Sequence, residues 1–284
     1  TPGKPTALMA KGSGSGPRES GSRRCASASR RKRLCEGEGE TMAIIEQPIL
    51  EELDGMTPEE LLKWAYRTHG IRAAIITSFQ YTGCVMIDMA CRTGYRLRVV
   101  TVDTLRLHSE TYELMERIEA KYGLTIERFK PDPARVRAMV EQHGEYLFFD
   151  SQAKQEYCCA IRKVEPHERA LDTVDVWVAG LRRDQSSLRS RVARVGYVEQ
   201  NGRLILKLCP LADWREEEAR AYIEEHEVPY NPLYDQGYAS IGCIICTTPI
   251  RTGEDKRAGR WRWFNHLAEE HSKECGIHVG GSGI

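Results

Sequence analysis

One recurring unit narrows the fold of this chain more than anything else: a short apolar, β-branched run that ends on polar groups and passes into a helix-like segment. It occurs at Ala73-Ala74-Ile75-Ile76-Thr77, at Leu97-Arg98-Val99-Val100-Thr101-Val102, at Leu124-Thr125-Ile126-Glu127-Arg128-Phe129 and at Val174-Asp175-Val176-Trp177-Val178-Ala179. Strands alternating with helices predict parallel pairing, because each crossover returns the chain to the same end of the sheet and lays a helix on one face. The expected fold class is therefore α/β, a parallel twisted sheet flanked by helices.

Local signals place several of the helices. Thr57-Pro58-Glu59-Glu60 combines N-cap, proline and acidic first-turn signals for a helix that Gly70 stops. Others are expected from Cys84 to Arg92, from Glu110 to near Gly123, from Pro133 onward, and from Glu216 to Glu225 with Asp213 as N-cap. Past Gly196, Asn201-Gly202 predicts a hairpin joining Tyr197-Val198 to Leu206-Lys207-Leu208.

Ligands of open α/β sheets bind beyond the carboxyl ends of the strands. Ser78, Asp103 and Arg182 are polar groups at three such ends and are expected to face one crevice. Ser78 opens the loop Ser78-Phe79-Gln80-Tyr81-Thr82-Gly83, where backbone N–H groups and a helix N-terminus would point at an anion; an ordinary strand-to-helix turn reads the same way.

Lys plus Arg and Asp plus Glu number 41 each, so nothing global calls for nucleic acid or a membrane surface, and any anion site must be local. No run of eighteen apolar residues exists to form a spanning helix. Ten cysteines would suggest disulfides in a small secreted domain, but this chain is larger, shows no apolar signal segment, and carries cysteines as adjacent and C-x2-C pairs. A reducing, cytoplasmic setting with metal or redox thiols is expected. Three parts follow: a leader over 1–41, an α/β body over 42–264 and a tail over 265–284. The leader is rich in Gly, Ser, Arg and Lys without apolar period, and reads as disordered; its acidic run from Glu36 to Glu40 argues against a transit peptide, and Cys25 and Cys35 are passengers there.

Cys158, Cys159, Cys243 and Cys246 are the expected metal ligands. Four thiolates suit zinc or an iron–sulfur cluster, and the adjacent pair, unusual for a zinc ribbon, favours iron–sulfur; two unconnected buried pairs are the plain alternative. Arg257 and Arg260, three apart around Gly259, form a short fork for phosphate-type oxygens, or else a solvated basic face. Lys163 follows Cys159 by four residues and would project toward the same place. Cys275 stands alone between Lys273 and His278, where positive neighbours favour its thiolate, and Gly276, Gly280, Gly281 and Gly283 would let the tail move. Trp261 and Trp263 are expected to pack, as are Cys84 and Cys91, while His69 and His108 lack spaced partners.

Taken together, Cys158-Cys159-Ala160-Ile161-Arg162-Lys163-Val164, Gly180-Leu181-Arg182-Arg183-Asp184-Gln185-Ser186, Gly242 to Cys246, Arg257 to Trp263 and Glu274-Cys275-Gly276-Ile277-His278 resemble the assimilatory adenylyl-sulfate (APS) reductase family. The likeness runs in order from about residue 58 to 278. It implies an adenine-nucleotide alpha-hydrolase-like fold, a [4Fe-4S] cluster on the four cysteines, and reduction of APS to sulfite and AMP. It further implies Cys275 as nucleophile, substrate contacts from Lys163, Arg189, Arg257, Arg260 and His278, and an external thioredoxin or glutaredoxin, no fused reductant domain following His278. Related PAPS reductases share the fold and the terminal cysteine but generally lack the cluster cysteines. A PAPS or dual-substrate reductase and a cluster-bearing redox sensor are the competing readings, and a homo-oligomer is compatible with all of them. The chain departs from the family pattern in the Ser78–Gly83 loop, at Leu105 where glycine is common, at Ser109 where proline is common, and at Cys209 where asparagine is common.

Overall fold

The computed structural model describes residues 47–264. The leader and tail, with Cys25, Cys35, Cys275 and His278, lie outside the described residues. Helices α1 (Gln47–Asp54) and α2 (Pro58–His69) precede strand β1 (Ala73–Ile76), and α3 (Tyr81–Arg92), β2 (Arg98–Val102), α4 (Ser109–Tyr122) and β3 (Ile126–Phe129) follow. Then come α5 (Pro133–His143), α6 (Gln152–Cys159), α7 (Glu165–Leu171) and β4 (Val176–Ala179). A hairpin of β5 (Val195–Gln200) and β6 (Arg203–Leu208) leads to α8 (Glu216–Glu225), and from Ser240 to Phe264 the chain forms a cap of turns.

The six strands lie in the order β3-β2-β1-β4-β6-β5, all parallel except β5, which runs antiparallel to β6. The hairpin turns on Asn201 and Gly202, both with positive φ, as a tight type I′-like connection requires. From β1 the chain builds outward through β2 and β3, then returns to add β4 on the other side of β1. The crossovers on the two sides diverge there and open a crevice at the carboxyl ends of β1 and β4.

Both faces of the sheet are covered, and the alternation of side chains shows it. Ala73, Ile75, Val99, Val176 and Val178 enter one apolar core with residues of α2, α3, α4 and α8. Ala74, Ile76, Val100, Trp177 and Ala179 enter a second with Ala170 and Leu171 of α7. Every residue of β1 and of β4 is buried, as two-sided burial of a central parallel strand demands. No described helix is long and apolar enough to cross a membrane.

Local signals hold where the chain closes its own bonds. Thr57 and Glu60 form the reciprocal capping box of α2, and Gly123 ends α4 in the left-handed conformation. Asp213 is not the N-cap of α8: it pairs with Arg183, and the first turn of α8 is served instead by Glu218, which accepts from the Arg215 N–H, and by the distant Asp184, which accepts from the Glu216 N–H at 2.9 Å. Helix α3 begins at Tyr81, three residues ahead of the expected start, and α1 was not expected at all.

Candidate active site

The carboxyl ends of β1, β2 and β4, the rod from α6 to α7 and the cap enclose an open cavity of about 1160 Å3. From β1 come Ser78 and Gln80, from β2 Val102 and Thr104, and from β4 Gly180 and Leu181. Thr82, in the first turn of α3, donates its hydroxyl to the Gly180 carbonyl at 2.7 Å and so ties two of these ends together. A Cβ on Gly180 would sit 2.7 Å from that hydroxyl, which is why a side chain is not tolerated there. Three of the non-glycine residues with left-handed φ are in or beside the lining: Phe79 (57°), Leu105 (59°) and Trp261 (46°). Leu105 thus takes, with a side chain, the backbone conformation for which glycine is best suited. Such strain, about 1–3 kcal/mol per residue, persists where surrounding structure over-determines it, commonly at functional sites.

The rod supplies one wall. Past Cys159 the helix widens into a π turn over Ala160–Val164 before α7 resumes. A single wide turn shifts the phase of the residues after it, and here Cys159, Lys163 and His167 line the same cavity. Arg162, 6% exposed, turns elsewhere: it donates to the Thr104 carbonyl at 3.2 Å and to the Cys158 sulfur, and its Nε has no partner among the described residues.

The cap supplies the opposite wall. Leu107 and Cys243 form an isolated antiparallel bridge, the Ile244 N–H donates to Arg106 O at 2.9 Å, and the Cys246 N–H donates to Cys243 O at 2.9 Å. Arg260, 6% exposed, donates through Nε to Cys246 O at 3.3 Å and lies over the Trp261 ring at 4.7 Å. Its guanidinium fills the space a side chain at residue 242 would need, so a larger residue there would have to displace Arg260. Arg257, Arg260 and Arg189 all line the cavity, with Arg189 also donating to Gln185 at 2.6 Å.

Cys158, Cys159, Cys243 and Cys246, free of disulfides, line a smaller adjoining cavity of about 290 Å3. Burial pushes the Cys158 thiol up against the opposing pull of Arg106 and Arg162, and burial with the neighbouring sulfurs of Cys243, Cys159 and Cys158 pushes Cys246 up further. Donors aim at the sulfurs: Gln155 reaches Cys159 at 3.1 Å, and the Thr104 hydroxyl lies 3.2 Å from Cys243. Among the described residues no group of three or more His, Cys, Asp or Glu is placed to hold a metal ion. Four soft sulfurs around one small cavity, with N–H and O–H donors beside them, are a donor set of the kind thiophilic metal centres use.

Residues 72–249 match the phosphoadenosine phosphosulfate reductase domain. The chain belongs to that family. Among curated relatives, the adenosine 5'-phosphosulfate reductase of Allochromatium vinosum is 44% identical over 71% of this chain and 77% of its own length. That of Halalkalibacterium halodurans is 38% identical over 81% and 93%. Among solved structures, the phosphoadenylyl-sulfate (PAPS) reductase of Candida auris, a phosphate complex, superposes with a TM-score of 0.62 at 29% identity, covering 73% of this chain and all of that one.

Within this member of the reductase family, the residues expected at the site divide into two groups. Ser78, Lys163, Arg189, Arg257, Arg260, Cys159, Cys243 and Cys246 line the main cavity, and Cys158 joins the other three thiols in the smaller one. Asp103 is not in either lining: its carboxylate accepts from the Tyr112 hydroxyl at 2.6 Å and the Leu105 N–H at 2.9 Å, so it shapes the loop behind the cavity. Arg182 faces a polar annex beside the cavity, where Asp184 holds it at 2.7 Å and Glu216 lies 3.8 Å away. Thr82, Thr104, Gln185 and His167 also line the cavity and were not expected. Of these, Thr82 lies in the Ser78–Gly83 loop and Gln185 in the Gly180–Ser186 motif, while the signal for His167 was its spacing of four from Lys163.

Proposed function

We propose that the chain reduces adenylyl sulfate to sulfite and AMP. The observation that carries this reading is that Lys163, Arg189, Arg257 and Arg260 share one strand-end cavity with Cys159, Cys243 and Cys246. A nucleotide whose 5'-phosphate bears sulfate brings two adjoining anions. These cations neutralise both and orient the sulfur for attack.

The Cys275 thiolate attacks that sulfur, the bond from sulfur to the bridging oxygen breaks, and AMP leaves with the electron pair. Sulfonate then sits on Cys275 as S-sulfocysteine. A dithiol of thioredoxin or glutaredoxin type attacks the Cys275 sulfur and expels sulfite, and its second thiol resolves the mixed disulfide, restoring Cys275 and oxidising the dithiol. His278 accompanies Cys275 on the tail, and a reducing cytoplasm suits the exchange. Cys158, Cys159, Cys243 and Cys246 would hold a [4Fe-4S] cluster, which supplies a fixed charge that tunes the neighbouring anion site.

APS is favoured over its 3'-phosphorylated form by the polar annex. A 3'-phosphate there would compete for cations already placed: Arg182 is engaged by Asp184, Lys256 by Glu216 at 2.9 Å, and Arg189 and Arg257, which also line the annex, serve the anhydride. The test is sulfite production from APS and PAPS with thioredoxin by the unaltered chain and by Cys275→Ser. Sulfite from APS that Cys275→Ser abolishes is the expected result; sulfite formed by the variant overturns the nucleophile, and equal kcat/KM for both nucleotides overturns the preference.

A further inference from the structure

Among the described residues His167 is the one imidazole that lines the cavity, and the mechanism above leaves it without a task. Its side chain is 5% exposed, and its ring meets Trp177 edge-on at 5.0 Å. Among the described residues it makes no hydrogen bond or ion pair, yet it is not one of the sealed-in orphan groups such as His69 and His108, because it opens onto the cavity. A buried polar group without a protein partner costs roughly 1–3 kcal/mol unless a ligand or water completes it.

The surroundings say what kind of ligand group completes it. Burial, with Lys163 next and Lys207 after, holds the imidazole down at about 3, so near neutrality it is uncharged and one ring nitrogen is an acceptor. Ile76, Trp177, Ala179 and Leu181 of the lining share the apolar core on which α7 packs, and Lys163 and Lys207 bring charge to the same neighbourhood. The guanidinium groups of Arg257 and Arg260 come from the cap and Lys163 from the rod one turn ahead of His167, whereas His167 meets Trp177 of the sheet, so the anhydride is placed between cap and rod and the base against the sheet. An apolar wall that carries a neutral imidazole acceptor is complementary to a purine carrying an exocyclic amine, with Thr77, Thr101 and the other polar groups of the lining left for the rest of the nucleotide.

We propose that His167 is a specificity-determining residue whose neutral ring nitrogen accepts a hydrogen bond from the exocyclic amine of the adenine. This rests on the nucleotide reading above and adds the group that recognises the base. A site built to bond an N–H discriminates against a ligand lacking it more sharply than an apolar pocket does.

The test compares AMP with purine riboside 5'-monophosphate, which lacks only the amine, by calorimetric binding to the full chain, the His167→Leu variant and the His167→Gln variant. The unaltered chain is expected to prefer AMP by about tenfold. In His167→Leu that preference falls below about twofold, through weaker AMP binding, with KM for APS raised and kcat held. His167→Gln, whose amide oxygen also accepts, keeps part of the preference and serves alone if the leucine variant does not fold. An undiminished preference in the variants, or equal weakening of both ligands, overturns the assignment. Failure of the unaltered chain to bind AMP overturns the nucleotide reading itself, a different result from binding AMP without regard to His167.

Discussion

The sheet body and the cap each bring two thiols to one cavity, but different forces hold them. Cys158 and Cys159 ride on a helical rod whose continuation, α7, packs on a sheet buried on both faces. Cys243 and Cys246 sit in a segment of short turns with two isolated bridges and a small apolar cluster of Cys246, Trp261 and Phe264. Polar contacts position the cap: Arg260 on the Cys246 carbonyl, Arg262 on Glu254 at 2.8 Å, and Lys256 on Glu216 at 2.9 Å. Apolar burial is non-directional and survives a lost contact, whereas a turn held by a few hydrogen bonds depends on each of them. On the proposal that the four thiols hold a cluster, the cap is the half whose order depends on it and the body is the half expected to fold without it.

The largest effect should come from Cys246→Ser. Iron content and sulfite production are expected to fall together, activity by roughly three orders of magnitude, while far-UV circular dichroism keeps the helices of the body. Iron retained at the level of the unaltered chain would break the division of labour. Next is Ile75→Ala at the centre of β1, where a fully buried side chain is lost: about 3 kcal/mol of stability in denaturant titrations, with iron per folded chain unchanged. A metal defect there would show the two halves are not separable.

His167 sharpens the comparison through pH. Its folded-state pKa, about 3, lies below the unfolded value near 6.5, so below pH 6.5 the unfolded chain binds the extra proton and stability drops as pH falls, down to the folded pKa. Between pH 6.5 and 5 this contributes about 2 kcal/mol, read as a lower midpoint in urea. His167→Gln should remove that part of the slope; an unchanged slope would place the acid sensitivity elsewhere. The smallest effect is expected for Glu216→Gln, which weakens the partly exposed Lys256 contact. It should cost at most about 1 kcal/mol of stability but raise KM for the nucleotide a few-fold, by loosening the segment that carries Arg257. No change in KM would mean the cap is positioned without that pair.

How much of this was legible in the chain follows from the range of the interactions. The central strands, the capping box at Thr57, the Gly123 stop and the Asn201-Gly202 turn depend on neighbours a few residues away, so spacing and residue type determined them. The alternation of strands with helices also indicated a sheet covered on both faces, and the cysteine spacing singled out two pairs that the fold brings to one small cavity. What needed the tertiary structure is everything settled by partners far off in the sequence. Asp103 looked like a cavity residue, and Tyr112 and the Leu105 N–H turned it into a loop brace. Asp213 looked like a cap, and Asp184 served α8 in its place. The π turn set which residues of one helix share the cavity, placing His167 beside Lys163. Local periodicity can assign a side chain to a face; which polar group at a strand end remains open to a ligand is decided by which others find partners first, and those partners arrive only when the chain is folded.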